Sequence, residues 1–273
     1  MKKINRRSFL AAAGLTAAAL ALTACGGSAS STASSTASSA ASSEAASTSA
    51  AAELTTVEAG KLTMATNAAF PPYEMTTDAG EFEGIDIDTA KAIAEKLGLE
   101  LQIDDMDFDA ALLSVQQGKA DIVMAGVTVT DERKAVMDFS ESYATGIQSI
   151  IVPEGSDITS PDDLAGKKIG TQRGTTGYIY CSDDFGDDAV VAYDDGLTAV
   201  QALNNGQVDA VVIDNAPAKE FVAANPGLVI LDTSYAEEDY AIGLAKGSAL
   251  EDAINAALEE LKADGTLQSI VDK

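Results

Sequence analysis

The sequence predicts an α/β protein of two similar lobes, and three observations support this prediction. Strand and helix patterns alternate from Lys61 onward, which is typical of α/β layers with mainly parallel sheets. The order occurs twice, because Gly60-Lys61-Leu62-Thr63 is echoed by Gly166-Lys167-Lys168-Ile169. Two longer strand patterns, 146–153 and 239–245, lie where the halves meet. We interpret these two strands as crossings of a hinge between the lobes.

The individual elements follow in order. In the first half we predict a strand at 61–66, a helix that Gly98 ends, a strand at 99–103, a helix at 108–117 and a strand at 121–125. In the second half we predict a strand at 168–171, a helix from about 175, a strand at 189–193, a helix at 197–205 and a strand at 208–213. Leucine, isoleucine and alanine at helical spacing from 250 to 261 predict a last, long helix.

A second echo supports the repeat. Gly118 to Asp121 is matched by Gly206 to Asp209, and in both places a helix ends at glycine and a strand begins at aspartate. This connection is also common in unrelated α/β proteins. The prediction of two lobes therefore depends on both echoes occurring in the same order.

The N-terminus resembles an export signal. Basic residues at 2, 3, 6 and 7 precede an apolar run at 10–22, which is shorter than the ~20 residues of a membrane span. The segment 5–10 also resembles a twin-arginine signal. Leu22-Thr23-Ala24-Cys25 resembles a bacterial lipobox, so we predict cleavage before Cys25 and acylation of its thiol. A coincidental cysteine after an ordinary signal is the alternative.

The next segment predicts a tether. Residues 25–58 are dominated by Ala, Ser and Thr, a composition that cannot form an apolar face, so we expect disorder there. The predicted organisation is a signal at 1–24, a lipidated tether at 25–58, lobe 1 at 59–148 plus 241–273, and lobe 2 at 149–240.

Composition excludes several classes of function. The chain contains no histidine, which removes Ser-His-Asp and Cys-His catalytic systems and histidine-based metal sites. We predict neither a cofactor nor a metal. The net charge of −26 becomes −30 without the first 24 residues, which argues against a nucleic-acid partner. If Cys25 is acylated, Cys181 has no disulfide partner, and we expect it to be a partly buried small apolar residue.

Four loops follow predicted strands, where ligands of α/β proteins bind. These loops are 66–74, 125–133, 171–177 and 213–217. A free α-amino acid has a carboxylate and an ammonium on one carbon, so its site needs a fixed cation and a fixed anion. Arg133 offers a planar guanidinium for the carboxylate, and Asp214 offers a carboxylate for the ammonium. Backbone N–H groups at the helix that begins near Thr175 can add donors.

These loops, with Gly84-Ile85-Asp86-Ile87-Asp88 and Met106-Asp107-Phe108-Asp109, resemble the amino-acid-binding family-3 solute receptors of bacterial ABC importers. The resemblance covers essentially all of 61–273. It implies a two-lobed periplasmic-binding-protein-like fold of type II with a hinge of two crossing strands. It also implies an extracytoplasmic, lipid-anchored monomer that delivers a free, polar amino acid to a membrane permease.

The resemblance also implies roles for single residues. Arg133, Thr128 and Thr176 match positions that bind the ligand carboxylate, while the Gly126 carbonyl and Asp214 match positions that bind the ammonium. Aromatic and amide residues match positions near the ligand side chain. The whole predicted set is Asn67, Phe70, Phe108, Ala125, Gly126, Thr128, Arg133, Gln172, Thr175, Thr176 and Asp214.

Two departures bear on the ligand. Many relatives have aspartate where Asn67 stands, so a cationic side chain loses one expected partner. Arg173 lies beside a cleft loop and favours an acidic or amide ligand if it faces the cleft, but it is otherwise a solvent-facing residue. The sequence thus predicts a polar amino acid and leaves its identity open.

Each site residue also has an ordinary structural interpretation. Arg133 fits a solvated helical turn, and Asp214 fits the N-cap of the helix before Pro217. Thr175 and Thr176 fit capping roles, and the two phenylalanines fit core positions. Only the joint occurrence of these residues after strands favours the binding site.

Two other functions remain open at this point. Relatives of the fold include dehydratases of prephenate-like cyclohexadienyl acids, and Glu74 is the candidate acid for such an enzyme. A ligand-sensing module is the second, but we do not expect the membrane and signalling regions of such modules after Lys273.

Overall fold

The computed structural model describes residues 54–273, so the predicted signal, Cys25 and the tether up to residue 53 lie outside the described residues. The strands are β1 (Lys61–Thr66), β2 (Ala69–Phe70), β3 (Glu74–Thr76), β4 (Phe82–Glu83), β5 (Glu100–Asp105), β6 (Ile122–Val123), β7 (Met137–Pro153), β8 (Ile169–Gln172), β9 (Val190–Tyr193), β10 (Ala210–Asp214), β11 (Leu228–Ile230) and β12 (Ala236–Ala245). The helices are α1 (Ile85–Leu97), α2 (Phe108–Gln116), α3 (Asp131–Val136), α4 (Thr176–Phe185), α5 (Gly196–Asn204), α6 (Asn215–Ala224), α7 (Glu251–Ala263) and α8 (Thr266–Val271).

Each half of the chain builds a parallel group of strands. In the first half β1 lies between β5 and β6 and is parallel to both. In the second half β8 is parallel to both β9 and β10. The alternation of strands and helices along the sequence is therefore realised as two α/β layers, and the predicted fold class is confirmed.

Two long antiparallel strands join these groups. The strand order is β5-β1-β6-β12-β7-β10-β8-β9, so β12 and β7 stand at the centre. The sequence pattern marked only 146–153 of β7, but the strand begins at Met137 because its pairing with β12 continues to that residue. Within residues 137–146 only every third residue is buried, namely Met137, Ser140, Tyr143 and Gly146, so this part of the strand shows neither an apolar run nor the two-residue alternation by which strands are recognised.

Short elements also differ from prediction. The strand expected at 121–125 contains only Ile122 and Val123, and helix α8 was not predicted. The small sheet of β2, β3 and β4 consists of strands of two or three residues, which are too short to produce a periodic pattern. Gly98 does end α1 in the left-handed conformation, with φ 70°.

The repeated connection has the same local structure in both halves. The Asp121 carboxylate accepts a hydrogen bond from the Thr63 backbone N–H at 2.8 Å, and the Asp209 carboxylate accepts one from Lys168 at 2.7 Å. Each aspartate therefore ties the start of its own strand to the neighbouring parallel strand. The echo in the sequence marks an equivalent position in the two lobes.

The core is apolar on both sides of the sheet. Buried residues of β1 and α1 pack with α7, while Ile150, Ile169 and Cys181 belong to a separate cluster beneath α4. Cys181 is fully buried, more completely than the partial burial expected, and burial raises the pKa of its thiol to about 12. None of the helices between residues 54 and 273 is long and apolar enough to cross a membrane.

Candidate ligand-binding cleft

A cavity lies between the loops that follow β1 and β6 and the start of α4. Its unfilled space amounts to about 290 Å³, the mouth included. Its lining residues are Asn67, Phe70, Glu74, Phe108, Ala125, Gly126, Thr128, Arg133, Gln172, Thr175 and Thr176. The structure therefore brings the predicted set together with one exception, Asp214, and adds Glu74.

Arg133 is directed inward. The hydroxyl of Thr130, the N-cap of α3, accepts a hydrogen bond from the Arg133 backbone N–H at 3.2 Å, which fixes the first turn of the helix. The guanidinium donates to the carbonyls of Thr128 at 2.8 Å and Gly174 at 3.2 Å, and its carbon lies 5.3 Å from the centre of the Phe108 ring. Only 9% of Arg133 is exposed, so the interpretation as a solvated residue is wrong. Desolvation lowers its pKa from the ordinary value, while the negative charge of Glu238 opposes this shift.

Two contacts connect the loops of the first half with those of the second. One is the Arg133 bond to Gly174, and the other is a bond from the Gln172 amide to the Asn67 side-chain oxygen at 2.8 Å. Gln172 also donates to the Asp194 carbonyl at 3.2 Å, and Asn67 donates to the Met106 carbonyl at 3.0 Å. Both N–H bonds of Gln172 are thereby used, and within residues 54–273 no donor meets its side-chain oxygen.

Gly126 forms a turn that no other residue fits easily. Its φ of 55° is left-handed, and an added Cβ would lie 2.9 Å from the Phe70 ring. The Asp86 carboxylate accepts a hydrogen bond from the Gly126 N–H at 3.0 Å, which secures the turn. Asp86 is fully buried, and desolvation raises its pKa to about 6. Because its N–H is occupied, Gly126 can offer a ligand only its carbonyl oxygen.

Asp214 lies behind the cavity and does not line it. It occupies the N-cap position of α6, but its side chain makes no capping bond, so the capping interpretation is wrong. Its carboxylate accepts hydrogen bonds from the Gln148 amide at 2.8 Å and from the Tyr240 hydroxyl. Burial raises the pKa of Asp214 to about 6. The Asp214 carboxylate is thus connected to the cavity-lining Thr176 through the Gln148 amide.

The adjacent threonines at α4 have different roles. Thr175 is the N-cap, and its hydroxyl accepts from the Tyr178 N–H at 3.3 Å. The Thr176 hydroxyl instead donates to the Glu238 carboxylate at 2.9 Å. The capping interpretation therefore holds for Thr175 alone.

Glu238 was missed by the sequence reasoning. It is 7% exposed and contacts the cavity-lining threonines 128 and 176. A signal for it existed, because Glu238 is two residues before the buried Tyr240 and so lies on the same face of β12. The predicted strand began at residue 239, one position too late to show this alternation.

Two further charged residues differ in their relation to the cavity. Glu74 lines it and is fully buried, and desolvation together with nearby Asp86 raises its pKa well above the ordinary value. Arg173 lies outside the lining, with 56% of its side chain exposed and Asp194 at 3.5 Å. Arg173 therefore does not supply a cation to the cavity.

Comparisons with known proteins show the family and the fold of this chain. Residues 62–273 match the model of the bacterial extracellular solute-binding proteins, family 3. A probable histidine-binding protein of Neisseria gonorrhoeae is 32% identical, with 99% of this chain and 96% of that protein covered. The structure of an ancestral arginine-binding protein bound to arginine is also similar to this chain, with 44% sequence identity and a TM-score of 0.74. The match covers 78% of this chain and 97% of that one. The glutamine-bound structure of such a protein is 43% identical, with the same TM-score and 78% and 96% covered.

A family model that spans most of the described residues, and a relative matched over nearly its whole length, both agree with two α/β layers joined by crossing strands. The chain belongs to the bacterial extracellular solute-binding proteins, family 3.

Proposed function

We propose that this protein is the extracytoplasmic solute-binding component of an ABC importer and that it captures a free amino acid in the cleft. The observation that carries the proposal is the buried guanidinium of Arg133, which lies on a cavity lined by residues from both halves of the chain. The ligand carboxylate meets Arg133 and the first N–H groups of α4. The ammonium meets the Gly126 carbonyl and the negative charge of Asp214.

The side-chain end of the cavity favours a ligand with nitrogen donors. The Gln172 side-chain oxygen is available as an acceptor, and the rings of Phe70 and Phe108 provide flat apolar surfaces. Amide, guanidinium and imidazole groups present N–H donors on flat frames, whereas a carboxylate has none. The related structures carry arginine or glutamine, and the Neisseria relative is a probable histidine-binding protein. We therefore propose arginine, glutamine or histidine and disfavour acidic ligands.

A thermal-shift screen tests the proposal directly. The purified protein is heated with each of the twenty amino acids and with cystine, at a concentration far above the expected Kd. A ligand that binds only the folded form raises the Tm. We expect the largest rise from arginine, glutamine or histidine, and no rise from aspartate. If no amino acid raises the Tm, the proposal is wrong.

Delivery to the permease follows from closure of the cleft. Bonds such as Gln172 to Asn67 join the two halves, and an enclosed ligand strengthens this closed form. We propose the lobe boundaries 59–148 plus 241–273 and 149–240, with crossings on β7 and β12. β7 and β12 pack closely where they cross between the lobes, because a Cβ added to Gly146 on β7 would lie 2.5 Å from the ring of Tyr240 on β12. Stimulation of the ATPase of the cognate permease by ligand-loaded protein, and not by ligand alone, is the expected readout.

We also propose that Cys25 carries a lipid anchor and that the protein is monomeric. The lipobox-like sequence before Cys25 supports the anchor. In the native host we expect the protein in the membrane fraction and the Cys25→Ala variant mainly outside it. Mass spectrometry of the mature N-terminus identifies the acyl groups. Light scattering of the protein released from the membrane measures its molar mass.

One observation favours the dehydratase alternative enough to require a test. Glu74 is buried on the cavity wall, and desolvation raises its pKa well above the ordinary value, which is the direction of shift that a general acid needs. Our proposal expects no turnover of prephenate or arogenate. Turnover that disappears in Glu74→Gln would support the enzyme instead.

A further inference from the structure

The Glu238 carboxylate occupies the point where the two halves of the cleft meet. Its Oε2 atom accepts hydrogen bonds from the Thr128 hydroxyl at 3.2 Å, the Thr176 hydroxyl at 2.9 Å and the Gln148 amide at 3.1 Å. Thr128 follows β6 in the first half, whereas Thr176 begins α4 in the second. A single side-chain oxygen, Oε2 of Glu238 on β12, therefore connects both walls of the cavity. Its other oxygen, Oε1, is buried with no partner among residues 54–273.

These bonds fix the direction of each hydroxyl. An ionised carboxylate can only accept, and a threonine hydroxyl has one proton to donate. The hydroxyls of Thr128 and Thr176 therefore direct their only protons to Glu238. What they can offer a ligand is lone pairs. A hydroxyl in this state cannot donate to the ligand carboxylate, but it can accept from an ammonium.

The Gln148 side chain, like the two threonine hydroxyls, donates its protons to buried carboxylates. Its amide nitrogen donates to Glu238 and to Asp214, so a single amide joins two buried carboxylates, and the same nitrogen lies 3.3 Å from the Thr176 hydroxyl oxygen, which leaves that oxygen one further lone pair for a ligand. The two carboxylates leave no alternative orientation, because the amide oxygen cannot approach them without repulsion. The two carboxylates therefore make this polar network negative, and the Arg133 guanidinium, which donates to the Thr128 carbonyl, is the buried cation beside it.

We propose that Glu238 is a positioning residue that holds the Thr128 and Thr176 hydroxyls as acceptors for the ligand ammonium. The inference rests on the proposed function and changes one of its details. Family resemblance alone places both threonines on the carboxylate, whereas here their hydroxyls serve the ammonium. The carboxylate then depends on Arg133 and backbone N–H groups.

The consequence is a specific form of selectivity. If the hydroxyls accept from the ammonium, the site discriminates strongly between an amino acid and the same molecule without its amino group. Removing Glu238 frees the hydroxyls to rotate and to donate, and it removes a nearby negative charge. The discrimination should then decrease, since the amino acid loses more binding than its des-amino analogue.

Isothermal titration calorimetry tests this coupling. The probes are L-arginine, L-glutamine and L-histidine, each paired with its des-amino analogue, namely 5-guanidinopentanoate, 4-carbamoylbutanoate and 3-(imidazol-4-yl)propanoate. The proteins are the wild type, Glu238→Ala, Glu238→Gln and Glu237→Ala. Glu237 is the matched control, because it is the exposed neighbour on the same strand and its removal changes the net charge equally.

For Glu238→Ala we expect the best amino acid to bind about 10- to 100-fold more weakly, as for the loss of hydrogen bonds to a charged group. We expect its des-amino analogue to change by less than about threefold, since it lacks the ammonium. Glu238→Gln keeps an acceptor oxygen and should give an intermediate loss. Glu237→Ala should match the wild type within about twofold, as for surface changes away from a site.

The outcomes separate the two proposals. A wild type that binds none of the three amino acids overturns this inference together with the proposed choice of arginine, glutamine or histidine as ligand, while the proposed function itself is overturned only if no amino acid raises the Tm in the thermal-shift screen. A wild type that binds, together with an equal loss for amino acid and analogue in Glu238→Ala, overturns only the inference, because a purely structural role affects both probes. If Glu238→Ala does not fold, Glu238→Gln decides, and unchanged discrimination in that variant overturns the inference.

Discussion

The two halves of this protein share one scaffold and supply opposite charges to the cleft. Asp121 and Asp209 make the same carboxylate-to-backbone bond at the start of β6 and just before β10. Beyond those strands the halves diverge, since the first leads to Arg133 on α3 and the second to Asp214 at the start of α6. The repeated part holds strands together, whereas the part that differs places Arg133 on the cavity and Asp214 behind it. A duplicated scaffold thereby provides a polar site, with a cation on one wall and an anion behind the other.

The largest effect expected from this asymmetry concerns the cation. We expect Arg133→Ala to weaken amino-acid binding by about 2–5 kcal/mol, because it leaves the ligand carboxylate buried without its main partner. Arg173→Ala is the matched control, since Arg173 is exposed and lies outside the lining. Calorimetry on both variants checks the difference. Equal affinity in the two variants would place the carboxylate elsewhere.

The second prediction concerns how much the two repeated aspartates stabilise the protein against unfolding. Asp121→Ala removes two backbone bonds at a buried side chain, from Val57 at 2.7 Å and Thr63 at 2.8 Å. Asp209→Ala removes one bond at an exposed residue. We expect a loss of about 1–3 kcal/mol for the first and less for the second. Urea unfolding of the ligand-free variants measures both, and a larger loss for Asp209→Ala would contradict the comparison.

The third prediction concerns the Asp214 carboxylate and is a pH dependence of amino-acid binding. The pKa of Asp214 is raised to about 6, so below this pH the carboxyl becomes neutral and attracts the ammonium less. We expect affinity to fall by up to about tenfold per pH unit below 6. The stability of the ligand-free protein should change with pH in the opposite direction to the affinity. A raised carboxyl pKa destabilises the fold fully above pH 6, and this destabilisation is relieved as the pH falls from 6 toward 4.

Asp214→Asn is the variant that separates this effect from other groups. Asp86, whose pKa is raised to about 6, is buried close by, and so is Glu74, whose pKa is raised well above the ordinary value. If Asp214 is the origin, calorimetry between pH 5 and 7 should show a flatter profile for the variant. An unchanged profile would assign the pH dependence to Asp86 or Glu74.

The smallest effect concerns the two threonine caps. Thr130 caps α3 and Thr175 caps α4, each through a bond from the backbone N–H three residues later. Replacing either by alanine should cost about 1 kcal/mol of stability. Because Thr130 fixes the turn that bears Arg133, Thr130→Ala should also weaken binding more than Thr175→Ala does. Thermal unfolding and calorimetry on the same samples give both numbers.

The sequence by itself determined the local elements and the residues that follow the strands. The glycine that ends α1, the apolar face of α7 and the repeated aspartates depend on neighbours a few positions away, so their patterns are visible in the chain. Arg133 and the loops that line the cavity were found because strand ends of an α/β sheet converge, whereas most of the other lining residues were predicted from the family resemblance.

Tertiary structure alone decided which polar groups meet. Thr128 and Glu238 are separated by 110 positions, and Gln148 and Asp214 by 66, yet each pair forms a hydrogen bond. The full length of β7, the position of Asp214 behind the cavity and the role of Glu238 all depend on the pairing of β7 with β12. No local pattern records such a pairing, because it is fixed by the packing of distant strands against one another.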